Sequence, residues 1–419
     1  MFKKLLVFPL IAAMLAALTA GQVAASQTAV GEAVATKMAT LKSMAQKSTT
    51  QKSTDKSGSG TAQQAAQPAA FKAKAAVLME QSTGKVLYEL NPHEKLACAS
   101  ITKIMTELLV LQAIENGTLK LSQKITVSEH AASMGGSDIW LKPNEVMTVN
   151  DLFKAMAIQS DNDAAVALAE AVSGTEQAFV NEMNTEAGEL GMKDTHFVNC
   201  TGLDADGHLT SAYDIALMSR ELLTHKEIFS YCTVWMDTLR GGKTGLTNTN
   251  RLVRFYTGCN GLKTGTTSKA GVCISATAQR SGMQLIAVTL GSATSDERFT
   301  AARNLLDFGF TNWAVTKPQP LSQKLTVRVL RGESDTVQVV TEGTPTILID
   351  KALQKKVEQK VSLVPNVMAP VEKGQVLGQI TLSVNGKKIG GIPLIAKSAV
   401  ARMSFSKAFA KLFHAMVAA

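Results

Sequence analysis

The spacing of apolar residues changes several times along the chain. Runs at Ala75–Glu80 and Val86–Leu90, with a polar turn between them, predict a β-hairpin. The run Ile101–Ile114 has the length and the apolar content of a buried helix. From Val149 to about His225 the helical period dominates. The helices expected there are Val149–Gln159, Asp163–Val172, Glu176–Leu190 and Ser211–Leu223.

The pattern returns to short strands after Gly261. A helix is expected at Asp296–Asn312, and the strands before it are Leu262–Thr266, Val272–Ala278 and Gln284–Leu290. The opening hairpin and these strands can form one antiparallel sheet, with the helical segment inserted between them. We therefore predict an α+β domain over residues 73–316, with its helices segregated from its sheet.

A second region follows a linker marked by Pro318 and Pro320. Six short alternating runs, separated by Gly, Pro and Asn-Gly turns, predict strands at Leu325–Leu330, Thr336–Val340, Thr346–Ile349, Gln359–Val364, Val376–Val384 and Lys388–Ala396. They indicate a small all-β domain over residues 317–397. It holds no cluster of titratable residues, so we expect a structural or partner-binding role.

The last segment, residues 398–419, has a helical period with two distinct faces. Its apolar face carries Phe405, Phe409, Leu412, Phe413 and Met416, and its other face carries Lys407, Lys411 and His414. A cationic amphipathic helix can lie in the membrane interface. We expect this helix to bind a membrane surface, with docking onto its own domain as the alternative.

The first residues have the features of a secretory signal peptide. Lys3 and Lys4 precede the apolar run Leu5–Leu18, and small residues end the segment at Ala25. The apolar run is short for an uncleaved membrane anchor. Residues 26–72 are rich in Ala, Gln, Ser, Thr and Lys, which predicts a flexible low-complexity spacer. We expect an exported protein, peripheral at the periplasmic or extracytoplasmic face of the cytoplasmic membrane.

Composition and charge limit the kinds of binding partner that we expect. The 419 residues are 45% hydrophobic, enough for two folded domains, and the net charge of +9 comes partly from lysines of the spacer. For an exported chain we expect the basic segment either to meet anionic lipid or wall polymers or to be only a solvated spacer, and we expect no nucleic acid. The five cysteines lack Cys-x-x-Cys or His spacing, so we expect no metal site. Their odd number leaves at least one free thiol, and one disulfide remains possible.

The candidate nucleophile belongs to a Ser-x-x-Lys motif. Residues three apart share a helix face, so the Ser100 hydroxyl can meet the Lys103 amine. A serine needs an adjacent base, and a lysine serves if burial or nearby positive charge lowers its pKa. The motif also starts at Ser53, Ser82 and Ser404, but only Ser100 precedes a long apolar run.

Two further motifs complete a possible acyl-transfer site. Ser160-Asp161-Asn162 offers hydroxyl and amide groups that can hold a lysine and pass a proton, although such residues also cap helices. Lys-Thr-Gly occurs at Lys243, in a Gly-rich segment expected to be a loop, and at Lys263, at the start of a strand. We favour the Lys263 copy, where Gly265 allows close approach to the strand edge.

In order and spacing, these motifs resemble the signature set of penicillin-binding proteins and serine β-lactamases. Longer stretches are similar to low-molecular-mass D-alanyl-D-alanine carboxypeptidases, and the similarity covers about Ala73–Ala419. The stretches are Ala99–Thr106, Thr201–Asp204, Thr210–Asp214, Gly261–Thr267 and Ala369–Gly374. The resemblance implies a β-lactamase/transpeptidase-like catalytic domain followed by a C-terminal β-domain.

The resemblance also implies roles in the removal of D-alanine from peptidoglycan stem peptides. Ser100 would attack the carbonyl between the two terminal D-alanines, with Lys103 as general base. Ser160 and Asn162 would relay protons and hold the peptide, and Lys263 would supply positive potential. β-Lactam antibiotics would act as acylating inhibitors, and no metal or cofactor is implied.

The remaining implied groups bind the substrate. Thr264 and Arg298 would bind the free carboxylate of the peptide, although Arg298 also suits an ordinary helix-surface arginine. Backbone N–H groups of Ser100 and Thr266 would form the oxyanion hole.

Three alternatives stay open. A class A β-lactamase would use an added glutamate for deacylation, but no Glu-x-x-x-Asn occurs between Ser160 and Lys263. A D,D-transpeptidase differs only in the acceptor that reaches the acyl-enzyme. A catalytically silent protein that binds the cell wall would rely on the β-domain and the terminal helix.

Overall fold

The structure is a computed structural model that describes residues 67–319, 324–342 and 346–417, apart from the side chains of 411–415 and 417. The strands are β1 Ala75–Glu80, β2 Val86–Leu90, β3 Lys124–Thr126, β4 Val146–Thr148, β5 Met236–Leu239, β6 Thr244–Thr247, β7 Cys259–Thr267, β8 Gly271–Arg280, β9 Met283–Ser292, β10 Trp313–Thr316, β11 Thr326–Leu330, β12 Thr336–Thr341, β13 Ile347–Asp350, β14 Val357–Leu363, β15 Asn366–Met368, β16 Val376–Val384 and β17 Lys387–Ala396. The α-helices are α1 Lys103–Glu115, α2 Glu129–Ala132, α3 Val149–Lys154, α4 Asn162–Ser173, α5 Glu176–Glu189, α6 Ala212–Leu222, α7 Phe229–Cys232, α8 Leu252–Phe255, α9 Ser295–Asn312 and α10 Phe405–Val417.

The N-terminal half of the described chain is built on a five-stranded sheet of order β2-β1-β9-β8-β7. Every adjacent pair in it is antiparallel. The two opening strands therefore join the three later ones, and the segment between them is mainly helical. This confirms the predicted α+β arrangement. Strand β7 lies at the edge of the sheet, and its free side is where the site forms.

Both faces of the sheet are buried, and strand β1 shows how. Its residues Ala75, Val77 and Met79 pack into the core of the inserted helices. The alternate residues Ala76 and Leu78 pack into a second core beneath α9. Successive strand residues point to opposite faces, so a strand covered on both sides is apolar throughout. Helix α1 is central to the larger core and is buried along most of its length.

The C-terminal half contains a six-stranded sheet of order β14-β16-β17-β12-β11-β15 around its own apolar cluster. Strand β10, which directly follows α9, joins it to the N-terminal half by pairing with β13. The Lys351 ammonium adds a hydrogen bond of 2.6 Å to the Phe310 carbonyl. The sequence did not predict β10 or β15, which are short strands beside a helix end and a turn.

Both ends of the described chain differ from the predicted segment boundaries. The spacer was expected to continue to residue 72, but the Phe71 ring contacts Tyr88 and the Lys72 carbonyl accepts a hydrogen bond from Ser292. The terminal helix was expected from residue 398 but begins at Phe405, because Val400 forms a β-bridge with the β-domain first. The predicted signal peptide and most of the spacer lie outside the described residues.

Two smaller expectations are also settled. All five cysteines, which fall inside the described ranges, are free thiols. The Lys243 copy of Lys-Thr-Gly was expected in a loop. Lys243 instead lies at the turn between β5 and β6, so the following Thr244 and Gly245 belong to a two-stranded hairpin.

Within the described residues no helix is both long and apolar enough to cross a membrane.

Candidate active site

Ser100 lies in a short 3₁₀ turn, Ala99–Thr102, that leads directly into α1. In a 3₁₀ turn the side chains three residues apart align. The Lys103 Nζ is therefore 3.1 Å from the Ser100 Oγ. Ala99 has a left-handed backbone with φ of 52°. The turn presents a half-buried hydroxyl at its surface while Lys103 points into the core.

The Lys103 ammonium group is enclosed. Its side chain is 0% exposed, and Nζ donates to the Asn162 Oδ1 at 2.6 Å and to the Thr201 carbonyl at 2.9 Å. Burial, helped by the nearby positive charge of Lys263, lowers the pKa of Lys103 to about 7. A substantial fraction of Lys103 is thus neutral near pH 7 and able to accept a proton.

The Ser160–Asn162 segment follows a break in a helix. One continuous helix was expected at Val149–Gln159, but α3 ends at Lys154 and a wider π-helical turn covers Ala155–Gln159. Ser160 then takes a left-handed backbone, φ 76°. Its Oγ is buried and has no partner among the described residues, so it is available to a substrate or a water.

Asn162 is held in place by a neighbouring loop. Its backbone N–H donates to the Ser137 carbonyl at 2.7 Å, and its side-chain amide donates to the Gly135 carbonyl at 2.6 Å. The amide oxygen is thereby directed at Lys103. The segment also stands at a helix start, because Asp161 occupies the cap position of α4, but its side chain makes no cap hydrogen bond.

Strand β7 brings the Lys-Thr-Gly motif against the nucleophile. A Cβ built on Gly265 would lie 2.8 Å from the Cys98 carbonyl oxygen and 2.9 Å from the Ser100 backbone nitrogen. Only glycine fits such an approach. The Thr264 hydroxyl donates to the Thr249 hydroxyl at 2.7 Å, and Thr266 is exposed at the end of the strand.

Lys263 is as buried as Lys103. Its side chain is 1% exposed, and Nζ lies 3.3 Å from the Thr264 carbonyl oxygen. Burial lowers the pKa of Lys263, the neighbouring Glu107 and Asp161 raise it, and Arg298 lowers it.

Arg298, in the first turn of α9, is buried behind the strand. Its Nη1 donates to the Gly265 carbonyl and the Thr266 hydroxyl, each at 3.2 Å, and to the Cys273 carbonyl at 3.3 Å. Burial lowers the pKa of Arg298 to about 10, so it stays cationic at neutral pH. The alternative of an ordinary surface arginine is wrong, because this side chain fixes the strand edge.

Several contributors were not found from the sequence. The Thr201 carbonyl on Lys103 and the Gly135 and Ser137 carbonyls on Asn162 are backbone groups, which carry no residue signature. Glu107 could have been noticed in the sequence, because it is a carboxylate inside an apolar run, one helical turn after Lys103. In the described part of the chain no group of His, Cys, Asp and Glu side chains could hold a metal ion.

The arrangement defines a class of enzyme. A serine hydroxyl beside a buried lysine, a second serine and asparagine loop, and a basic strand edge together suit acyl transfer through a covalent serine intermediate. The antiparallel sheet with its inserted helices is the β-lactamase/transpeptidase fold.

Comparisons with known proteins narrow this class. Residues 61–294 match the peptidase S11 model, described as D-alanyl-D-alanine carboxypeptidase, and residues 317–402 match the penicillin-binding protein 5 C-terminal domain. The carboxypeptidase DacF of Bacillus subtilis is 43% identical over 80% of this chain and 88% of its own. A penicillin-binding protein 5 structure from Haemophilus influenzae has a TM-score of 0.70 at 31% identity, covering 80% of this chain and 100% of that one.

A shorter relative has been solved with an antibiotic bound. Penicillin-binding protein D2 of Listeria monocytogenes, in its ampicillin-bound form, has a TM-score of 0.53 at 34% identity, covering 57% of this chain and 97% of that one. The present chain belongs to the peptidase S11 family of D-alanyl-D-alanine carboxypeptidases.

Proposed function

We propose that this protein is a serine D-alanyl-D-alanine carboxypeptidase that removes the terminal D-alanine from peptidoglycan stem pentapeptides during cell-wall maturation. The observation that carries the proposal is the 3.1 Å contact between the Ser100 hydroxyl and the fully buried Lys103 amine. Membership of the S11 family supports the same activity.

Acylation begins when the Ser100 Oγ attacks the carbonyl carbon between the two terminal D-alanines. Neutral Lys103 takes the hydroxyl proton, and the new ester bond forms as the peptide C–N bond breaks. The proton reaches the leaving amine through Ser160, whose buried hydroxyl has no other partner among the described residues. The N–H groups of Ser100 and Thr266 stabilise the oxyanion. The products are free D-alanine and an acyl-enzyme.

Deacylation repeats the proton transfers with water. A water molecule attacks the ester carbonyl, Lys103 accepts its proton, and the proton returns to the Ser100 Oγ as the ester bond breaks. Asn162 keeps the lysine in place throughout, since its Oδ1 is 2.6 Å from Nζ. The serine is restored, and the shortened peptide is released.

The substrate's free carboxylate selects the terminal residue. Lys263 and Arg298 place two buried positive charges beside the edge of β7, and the Thr264 hydroxyl, which donates to Thr249 in the free protein, turns its proton to the carboxylate when substrate binds. A peptide that ends in a carboxylate is therefore favoured over an internal peptide bond. Penicillins carry a comparable carboxylate, and the ampicillin-bound relative supports acylation of Ser100 by β-lactams.

We also propose that the protein acts outside the cytoplasm, bound peripherally to the outer face of the cytoplasmic membrane. The signal-peptide features of residues 1–25 and the spacer composition of residues 26–72 support export. The exposed Phe405, Phe409 and Met416 of α10 support contact with lipid. The chain is then divided into catalytic residues 71–316, β-domain residues 317–402 and a terminal membrane helix, Phe405–Val417.

The test combines two substrates. The mature protein is incubated with a fluorescent penicillin and, separately, with a peptide ending in D-Ala-D-Ala, and both adduct formation and D-alanine release are measured. A stable adduct with D-alanine release supports the proposal. Rapid turnover of penicillin would indicate a β-lactamase, transfer of the acyl group to an added amine a transpeptidase, and no adduct a silent binder.

A matched pair of serine variants locates the adduct. Ser100→Ala is expected to abolish labelling and D-alanine release. Ser82→Ala, in the turn after β1 where the hydroxyl donates to Glu80 at 2.8 Å, is expected to preserve both. Labelling that persists in Ser100→Ala would refute the assigned nucleophile.

A further inference from the structure

The loop of residues 201–209 packs on the turn that carries the nucleophile. At its start, the Thr201 carbonyl accepts a hydrogen bond of 2.9 Å from the Lys103 Nζ. The next residue, Gly202, has a φ of 85°, and a Cβ at this position would overlap the Ala99 carbonyl. Because nothing larger than glycine fits there, this loop lies in direct backbone contact with the 3₁₀ turn.

Two residues further on, the Asp204 carboxylate binds the end of β7 and the turn that follows it. Its Oδ1 accepts a hydrogen bond of 2.7 Å from the Thr267 hydroxyl, and its Oδ2 accepts from the Ser268 hydroxyl at 3.3 Å and from the Lys269 N–H at 3.2 Å. The Thr267 Oγ1 accepts from the Ala270 N–H at 3.1 Å, which leaves its own proton for Asp204. Asp204 thus joins the loop to the strand.

Packing does little to hold the loop at this point. The Leu203 side chain is 39% exposed, and a cavity of about 130 Å³ lies beside the loop. The cavity is lined by the loop, the turn after β7 and the segment before the nucleophile, and the lining residues include Ala97, Cys98, Asp204 and Lys269. Protein interiors are normally close-packed. The hydrogen bonds of Asp204 therefore supply a connection that packing does not.

The oxyanion hole depends on the distance between these two segments. Its donors, the N–H groups of Ser100 and Thr266, belong to the 3₁₀ turn and to β7, and both must lie about 2.7–3.1 Å from the oxyanion. Strand β7 is at the edge of the sheet, with its free side towards the nucleophile. Gly265 lets the strand approach the turn but cannot hold it there. The bond from Thr267 to Asp204 opposes movement of the strand away from the turn.

We propose that Asp204 is a positioning residue for acyl transfer: by binding the Thr267 hydroxyl, it sets the separation of the two oxyanion-hole donors. The proposal rests on the proposed function, because it takes Ser100 as the nucleophile and the N–H of Thr266 as a donor. Asp204 acts through the strand and does not touch the reacting atoms.

The test combines the rate of acylation with the infrared spectrum of the acyl-enzyme. The mature native protein, Asp204→Ala and Asp204→Asn are each acylated with a penicillin. In Asp204→Ala the rate is expected to fall about tenfold, less than full loss of an oxyanion-hole donor causes, because Arg298 still holds the Gly265 carbonyl. The ester carbonyl band of the acyl-enzyme is expected to move to higher wavenumber, because weaker hydrogen bonds polarise the carbonyl less. Asp204→Asn is expected to keep the native band, since its amide oxygen still accepts from Thr267.

Asp206 offers a matched control on the same loop. Its fully exposed carboxylate also contacts the turn after β7, but it does so through the flexible Lys269 ammonium, at 3.1 Å. Asp206→Ala is expected to keep the native rate and the native band. If Asp204→Ala acylates slowly but keeps the native band, Asp204 stabilises the fold without positioning the donors. If Asp204→Ala matches Asp206→Ala in both measurements, it does neither. Either result refutes the proposal.

A second variant breaks the same contact from the strand. Thr267→Val removes the hydroxyl that donates to Asp204 and is expected to shift the band in the same direction. The double variant Asp204→Ala/Thr267→Val is expected to acylate no more slowly than the slower single variant, because both changes remove one shared contact. Additive losses would contradict the proposal. If circular dichroism shows that Asp204→Ala does not fold, Thr267→Val and Asp204→Asn provide the test.

Hydrogen exchange separates this proposal from the proposed function. In the unacylated protein, the backbone amides of residues 262–267 are expected to exchange faster in Asp204→Ala than in Asp206→Ala, because the strand end is held less firmly. If the native protein is not acylated and releases no D-alanine, the proposed function fails, and the exchange still shows whether Asp204 holds β7. Equal exchange in the two variants would refute the assignment of Asp204.

Discussion

At the residue scale, the site depends on the amine of Lys103, which is buried away from solvent. A lysine on the surface would hold its proton at neutral pH and could not accept one from serine. Here burial and the charge of Lys263 lower the pKa of Lys103 to about 7. Because the amine is buried, its N–H groups need acceptors inside the protein, and the Asn162 side chain and the Thr201 carbonyl provide them.

The pH dependence of acylation follows from that pKa. In the proposed mechanism the reactive form is neutral Lys103, so the proportion of competent enzyme falls as pH drops below about 7. We expect the rate of penicillin acylation to fall about tenfold for each further pH unit. Stopped-flow measurements between pH 5 and 8 check this, with circular dichroism at each pH to show that the protein stays folded. A constant rate down to pH 5.5 would exclude Lys103 as the base.

The sequence identified the side chains of the site but not the groups that position them. Ser100 and Lys103 are close in the chain, so helical spacing alone predicts their contact. The carbonyl of Thr201, which also binds Lys103, is 98 residues away and belongs to the backbone. Arg298 was expected to bind substrate directly, whereas the structure shows it holding the Gly265 carbonyl and the Thr266 hydroxyl.

At the element scale, the position of β7 relative to the 3₁₀ turn decides whether the site exists. The predicted strands are close to those found because their alternation or apolar runs are strong: β1, β2 and β16 match in full. The two-stranded sheets β3/β4 and β5/β6 were missed because three- and four-residue strands of mixed polarity have no clear period. The π-turn before Ser160 was missed because the local sequence is a good helix former throughout.

The two Lys-Thr-Gly copies offer a matched test of the strand approach. A Cβ at Gly265 would lie 2.9 Å from the Ser100 nitrogen, so Gly265→Ala must push β7 away from the nucleophile. We expect acylation to fall by roughly 100-fold or more, as displacements of about 1 Å commonly cause. The control, Gly245→Ala, places its Cβ in open space and is expected to acylate at the native rate. Equal rates for both variants would show that the close contact is unimportant.

At the scale of the whole molecule, the two halves share a covalent and a packed connection. Helix α9 continues directly into β10, which pairs with β13 of the C-terminal half, so the catalytic half is joined to it by more than a linker. From the sequence, the prolines at 318 and 320 indicated only a linker. The strand β10 before them was missed, because its pairing depends on residues more than thirty positions later. Such long-range pairing has no local signal.

The terminal helix gives the last prediction. Phe405 is 87% exposed and Phe409 is 64% exposed, which is unfavourable in water unless a surface covers them. Full burial of a phenylalanine contributes about 1.5–3 kcal/mol, so the double variant Phe405→Glu/Phe409→Glu is expected to bind anionic phosphatidylglycerol vesicles roughly 100-fold more weakly or worse. The control, Ser406→Glu/Ala410→Glu, adds the same charge outside the apolar stripe and is expected to lose less affinity. Penicillin acylation in solution is expected to match the native rate in both variants. Equal vesicle affinity of the two variants would show that charge alone, and not the apolar face, governs membrane binding.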